Sequence, residues 1–264
     1  MKWTLGTRRL PIELPAWQRL VERLPFLDGF DEPTQQRFRE RIAEFLTVKT
    51  ISGAGGLEVD DEMRLSIAAQ ACLPILNRSL ALYDAFSEII VYPAAFQVRR
   101  SVTDAAGVVH ESDDVLSGEA MHGGPVVLSW EDVEPHDPTL NVVIHEFAHK
   151  LDMADGVADG VPPMPTALLR RWQPELERSY DHFVAALDAL ESSIPRHIDP
   201  ESEAADRYYA QLPLDPYAAT DPSEFFAVAA ETFFVDPQRL ASGYPEFYRC
   251  MAEYFGTDPL QRLR

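Results

Sequence analysis

Basic residues are scarce in this sequence. Asp and Glu number 43 against 23 Lys and Arg in 264 residues, for a formal net charge of −20 and a pI near 4.6. A field of that sign repels nucleic-acid phosphates and anionic lipid surfaces, so direct nucleic-acid binding and electrostatic membrane docking are not expected. Cysteine is almost absent. Cys72 and Cys250 sit in apolar stretches without the spacing of a metal or redox motif, and both are expected to be buried thiols of a reducing compartment. No stretch approaches the roughly 18 uninterrupted apolar residues of a membrane span. Behind the positive charges of Met1-Lys-Trp-Thr-Leu-Gly-Thr-Arg-Arg there is no apolar run. A secretory signal is therefore not expected, and the cytoplasm is the expected location. Internal repeats and low-complexity tracts are lacking too.

What is present reads as an ordinary globular chain, with 46% hydrophobic and 25% charged residues. Its length suits one large domain or two small ones. Phe38, Ile42, Phe45 and Leu46 recur at helical spacing and predict a helix over 34–48. Ser52-Gly53-Ala54-Gly55-Gly56 reads as a flexible turn, and 60–84 as a buried helix interrupted near Pro74. Between 86 and 133 the pattern turns to short β runs at Ile89–Pro93, Phe96–Val102, Val108–His110 and Val126–Trp130, with Asp104-Ala105-Ala106-Gly107 as a hairpin connection. After Asp137-Pro138-Thr139, a helix-start signal, a helix is expected over about 140–154, stopped by Asp155-Gly156. Further helices are expected at 166–190, 222–235 and 245–255, with a long irregular connection over 192–216. Helices, then a small sheet, then helices make an α+β fold.

The chemistry concentrates in His145-Glu146-Phe147-Ala148-His149. Residues i and i+4 share a helix face, so two imidazoles placed this way can bind one zinc ion, while Glu146 holds a water and takes its proton. Val142, Val143, Ile144, Phe147, Ala148 and Leu151 supply apolar surface around the remaining faces, so the helix is expected to be buried. Titratable groups on a buried helix need partners, and a metal supplies one.

A catalytic zinc needs a third protein ligand and an open position. The downstream helix is apolar except for Glu224 and Glu231, seven residues apart on one face. One of them as ligand and the other as acceptor for a ligand histidine would account for both, and spacing alone does not say which is which. Asp152 and Asp155 are rival ligands, and Asp152 reads better as a loop anchor or as support behind a ligand. Tyr217 stands at a loop-to-helix junction, where a phenol could donate to the oxyanion of a tetrahedral intermediate. The strand at 126–130 leads toward the motif helix and is expected to pair with extended substrate.

These stretches carry a resemblance. Ile144-His-Glu-Phe-Ala-His-Lys-Leu-Asp152, Tyr217-Ala-Ala-Thr-Asp-Pro-Ser-Glu-Phe-Phe-Ala-Val, Asp258-Pro-Leu-Gln-Arg-Leu, Tyr92-Pro-Ala-Ala-Phe and Gly124-Pro-Val-Val-Leu-Ser-Trp130 resemble the Mlc titration factor A family of bacterial zinc peptidases. The resemblance runs from about residue 20 to the end, and the Tyr–x6–Glu–Phe–Phe–Ala spacing is similar to the catalytic region of anthrax lethal factor. It implies that His145, His149 and Glu224 hold one zinc ion per chain, that Glu146 is the general base, and that Tyr217 assists. It implies a zincin-like metallopeptidase domain, a small mixed sheet plus active-site helices, over 61–264, preceded by a helical N-terminal region over 1–60. It further implies aminopeptidase-like hydrolysis of peptide substrates and binding to a transcriptional repressor of sugar uptake. The alternative is a non-catalytic zinc-containing binding module that sequesters a regulator protein. The 75 residues from His149 to Glu224 and the pronounced acidity depart from the family pattern.

Overall fold

The computed structural model describes residues 12–103, 109–116, 118–120, 123–133, 140–200 and 202–262. In chain order the elements are α1 (Leu14–Arg23), α2 (Glu32–Val48), β1 (Thr50–Gly53), α3 (Asp61–Cys72), β2 (Glu88–Tyr92), β3 (Phe96–Thr103), β4 (Val109–Leu116), β5 (Gly118–Ala120), β6 (Val126–Ser129), α4 (Trp130–Val133) and α5 (Val142–Asp152). The helices α6 (Thr166–Ser193), α7 (Glu203–Tyr209), α8 (Pro222–Val235), α9 (Pro237–Gly243), α10 (Pro245–Phe255) and α11 (Pro259–Arg262) follow. The mixture of helices around a small sheet is the expected α+β class.

Helix starts obey side-chain chemistry. Asp31, Asp60, Asn141 and Asp221 each accept a backbone N–H in the first turn of α2, α3, α5 and α8, using donors that a helix start leaves free. Proline at the first turn of α2 and α8 adds a preset φ. For α5 the cap is Asn141, whose Oδ1 accepts from Ile144 N at 2.9 Å. The Asp137-Pro138-Thr139 signal lies outside the described residues. The end of α5 is as expected: a 3-10 turn over Met153–Asp155 leads to Gly156 at φ 100°, the left-handed conformation glycine tolerates.

The main sheet runs in the order β1-β2-β6-β5. β1, β2 and β6 are mutually parallel, with Ile51 against Ile89 and Val91 against Leu128. β5 closes the row antiparallel to β6, with Gly118 opposite Leu128. This overturns the expectation for the strand at 126–130. β6 lies between β2 and β5 and is buried along its whole length. Its backbone donors and acceptors are therefore spent inside the sheet, and it cannot also pair with a substrate. β3 and β4 form a separate antiparallel ribbon, with Phe96 opposite Leu116 and Thr103 opposite Val109. The expected turn at Asp104–Gly107 falls outside the described residues.

Two segments read as irregular are more ordered. Ser52 and Gly53, expected in a flexible turn, end β1, and the 192–216 connection contains α7. α9 was not expected at all. Among the described residues no helix is long and apolar enough to cross a membrane.

The core sits between α5, α8 and the sheet. Phe147 on α5 meets Phe45, Tyr83 and Phe86 at ring-centroid distances of 5.8, 5.1 and 5.8 Å. On the far side of α8, Phe225 and Phe226 pack against Phe247 and Trp172. α5 and α8 are thus each wedged between aromatic layers, which fixes their relative height and rotation. That wedge brings one polar face of each helix together.

Candidate metal centre

His145 and His149 stand one turn apart on α5, with side chains 13% and 12% exposed. Their Nε2 atoms are 3.1 Å apart. From α8, Glu224 Oε2 lies 3.1 Å from Nε2 of both. Of the two glutamates that spacing left undecided, Glu224 reaches the histidines' inner nitrogens and Glu231 does not.

Glu231 instead reaches behind. Its Oε1 accepts from His145 Nδ1 at 2.6 Å and its Oε2 from Asn141 N at 2.7 Å. On the other ligand candidate, His149 Nδ1 lies 3.2 Å from Ser223 Oγ. A carboxylate only accepts, so the Glu231 contact makes His145 Nδ1 the protonated nitrogen and leaves an Nε2 lone pair facing inward.

Lone pairs of His145 and His149 and the Glu224 oxygen would then converge within about 3 Å, which is repulsive unless a cation lies among them. The edge of a tetrahedron of zinc ligands is about 3.3 Å for metal–ligand distances of about 2.05 Å. The observed 3.1 Å separations fit that figure, and three ligands leave a fourth vertex open. His145, His149 and Glu224 are accordingly a set that could hold a metal ion. The protonation preferences agree. Burial disfavours the imidazolium of His145, but bonds to Glu224 and Glu231 outweigh it and push its pKa well above the usual range. Burial likewise disfavours ionised Glu224, yet the two histidines hold its carboxyl far below the usual carboxylate range.

Glu146, next to the first histidine, is only 5% exposed. Burial raises its pKa, with the two histidines pulling the other way. Its carboxylate lies against the backbone of Gly118 on β5, where an added Cβ would fall 2.5 Å from Oε1. Tyr217 occupies the 3-10 turn Pro216–Ala219 at the mouth of the site and is 49% exposed. Its Oη donates to Glu224 Oε1 at a long 3.5 Å, and its ring lies 6.0 Å from that of His145.

The rival carboxylates are elsewhere. Asp152 is fully buried and turned away, with Oδ2 accepting from Gly160 N at 2.9 Å and Ser223 Oγ at 2.7 Å. Asp155 is exposed and accepts from Val157 N. Sequence reasoning missed Gly118 and Ser223. A lone glycine inside a strand signals close backbone approach, but the sequence reading placed no strand at 118. A serine beside a helix N-terminus has too many ordinary uses to stand out.

Two comparisons show what the chain is similar to. The profile of "Glucose-regulated metallo-peptidase M90" matches residues 2–256. The chain is 36% identical to Mlc titration factor A of Serratia proteamaculans, over 100% of this chain and 95% of that protein. It is 33% identical to the protein of that name from Pectobacterium atrosepticum and 34% identical to the one from Cronobacter sakazakii, each over 100% of this chain and 94% of the relative. Identity at that level over whole chains, together with a His-His-Glu cluster suited to a metal ion, places this protein in the M90 family of metallopeptidases.

Proposed function

We propose that the protein is a zinc-dependent peptidase of aminopeptidase type, with His145, His149 and Glu224 holding the ion. The observation that carries this is the convergence of two Nε2 atoms and one carboxylate oxygen at 3.1 Å, with Glu231 fixing the tautomer of the first histidine. Zinc in that gap would polarise a scissile carbonyl and acidify water. Glu146 takes the proton of the attacking water and passes it to the leaving amine. Its buried setting raises its basicity, which suits that exchange near neutral pH. Tyr217 donates its phenolic hydrogen toward the oxyanion.

With β6 enclosed, the strand offered to an extended peptide is β5, at the edge of the described sheet and against Glu146. Backbone pairing there accepts many side chains. The relatives' name ties them to Mlc, and we extend to this chain the binding of a transcriptional regulator. The two buried free thiols support a cytoplasmic setting.

Glu146→Gln tests the catalytic claim. The variant should retain one zinc per chain by elemental analysis and lose hydrolysis of aminoacyl chromogenic substrates. Zinc-loaded wild type that hydrolyses none of them would favour the non-catalytic binding module instead.

A further inference from the structure

The two candidate ligand histidines are supported by different chemistry. His145 meets a carboxylate directly. The Nδ1 of His149 meets a hydroxyl, Ser223 Oγ, at 3.2 Å, and a hydroxyl can donate as well as accept. By itself it does not choose between the two tautomers of His149. If Ser223 donated to Nδ1, the proton of His149 would sit on Nε2, pointing at the position where a metal must bind.

The hydroxyl is not by itself. Ser223 Oγ lies 2.7 Å from Asp152 Oδ2. Asp152 is fully buried and is held from the other side by Gly160 N at 2.9 Å. An ionised carboxylate takes hydrogens and gives none, so the single hydroxyl hydrogen of Ser223 is committed to Asp152. Only its lone pairs remain for His149, and Nδ1 must carry the hydrogen.

We propose that Asp152 and Ser223 form a polarity relay that holds His149 in the metal-binding tautomer, Asp152 acting only through Ser223. Both are positioning residues, and the inference rests on the zinc site proposed above. The geometry makes sense of the sequence around it. Asp152 is one further turn along α5 from His149, and Ser223 immediately precedes Glu224 on α8. The relay therefore ties the two helices that carry the ligands, on the side away from the cleft. Ser223 is itself fixed, because Asp221 Oδ1 accepts from its backbone N at 2.8 Å.

The test is zinc affinity, measured on the full-length protein by competition with a chromophoric chelator, with the visible spectrum of the cobalt-substituted protein as a second readout. Ser223→Ala breaks the relay but leaves the Asp152–Gly160 bond. It should weaken zinc binding by about 10- to 100-fold, the usual effect of losing a partner behind a ligand, and alter the cobalt spectrum. Ser223→Thr keeps the hydroxyl and should restore both. In Asp152→Ala the Ser223 hydroxyl loses its acceptor and is free to donate to His149, so affinity should fall at least as far. The double variant should bind no more weakly than the weaker single one, since both changes cut one chain. Wild-type affinity in Ser223→Ala would overturn the proposal. Additive losses in the double variant would overturn the claim that Asp152 works through Ser223. Wild type that binds no zinc would instead count against the zinc site, a separable result.

Discussion

Gly118 and Glu146 touch without room for a side chain: a Cβ at 118 would stand 2.5 Å from Glu146 Oε1 and 2.7 Å from its Cγ. A strand backbone thus forms one wall of the pocket that holds the proposed base.

Gly118→Ala should therefore push Glu146 out of line while leaving the three ligand candidates in place. A displacement of about 1 Å is enough to cost on the order of 100-fold in rate. We expect kcat to fall by that order with zinc content unchanged. Steady-state kinetics beside elemental analysis checks this, and a fully active variant would show that the carboxylate sits elsewhere in the working enzyme.

Glu231 serves two donors at once, His145 Nδ1 and Asn141 N. Glu231→Gln replaces one acceptor by an amide donor, so one of the two must lose its partner. Zinc affinity should drop about 10- to 100-fold. The melting temperature of the metal-free protein should fall as well, since a buried donor left unsatisfied costs about 1–3 kcal/mol. Unchanged affinity and melting together would contradict the assignment.

Phe147 is fully buried among Phe45, Tyr83 and Phe86. Phe147→Ala should destabilise the protein by about 3–5 kcal/mol, measured by urea denaturation. Because the same ring sets the height of α5, zinc affinity should fall in parallel. A loss well under 1 kcal/mol would mean that the aromatic layer repacks freely.

Burial lifts the Asp152 carboxyl from its usual 3.8 to about 6, against bonds from Ser223 and Gly160 that lower it. A carboxyl whose folded pKa is raised stabilises the fold while protonated. That contribution is complete below about pH 4 and is lost as pH climbs through about 6. Relative to Asp152→Asn, which does not titrate, wild type should lose about 3 kcal/mol at most between those limits. Thermal unfolding of both proteins under chelation, from pH 4 to 7, measures the difference. A difference that stays level across the range would refute it.

The sequence made some of this legible and hid the rest for physical reasons. The helix carrying His145 and His149 shows in its i, i+4 spacing and its glycine stop, because both are local. α8 shows for the same reason, as an apolar run interrupted only by Glu224 and Glu231. Which glutamate faces the histidines depends on the rotation of α8 against α5. That rotation is set by Phe225, Phe226 and Phe147 packing against partners as distant in sequence as Phe45 is from Phe147, which no local pattern reports. The place of β6 was misjudged because the order of strands in a sheet is a property of the whole chain. β1 was overlooked because Ser52 and Gly53 are residues that turns use more often than strands.

His149 and Glu224 are 75 residues apart in sequence, and α6 and α7 lie between them. An ion bound to both would act as a cross-link that closes this whole stretch into a ring. Closing a ring of that size removes freedom from the unfolded chain worth about 4.5 kcal/mol in the loop-entropy treatment of disulfides. Chelation would then resemble reduction of a disulfide. The 75-residue arc should become the first part of the protein to open, and limited proteolysis in the presence of chelator should cut there before anywhere else.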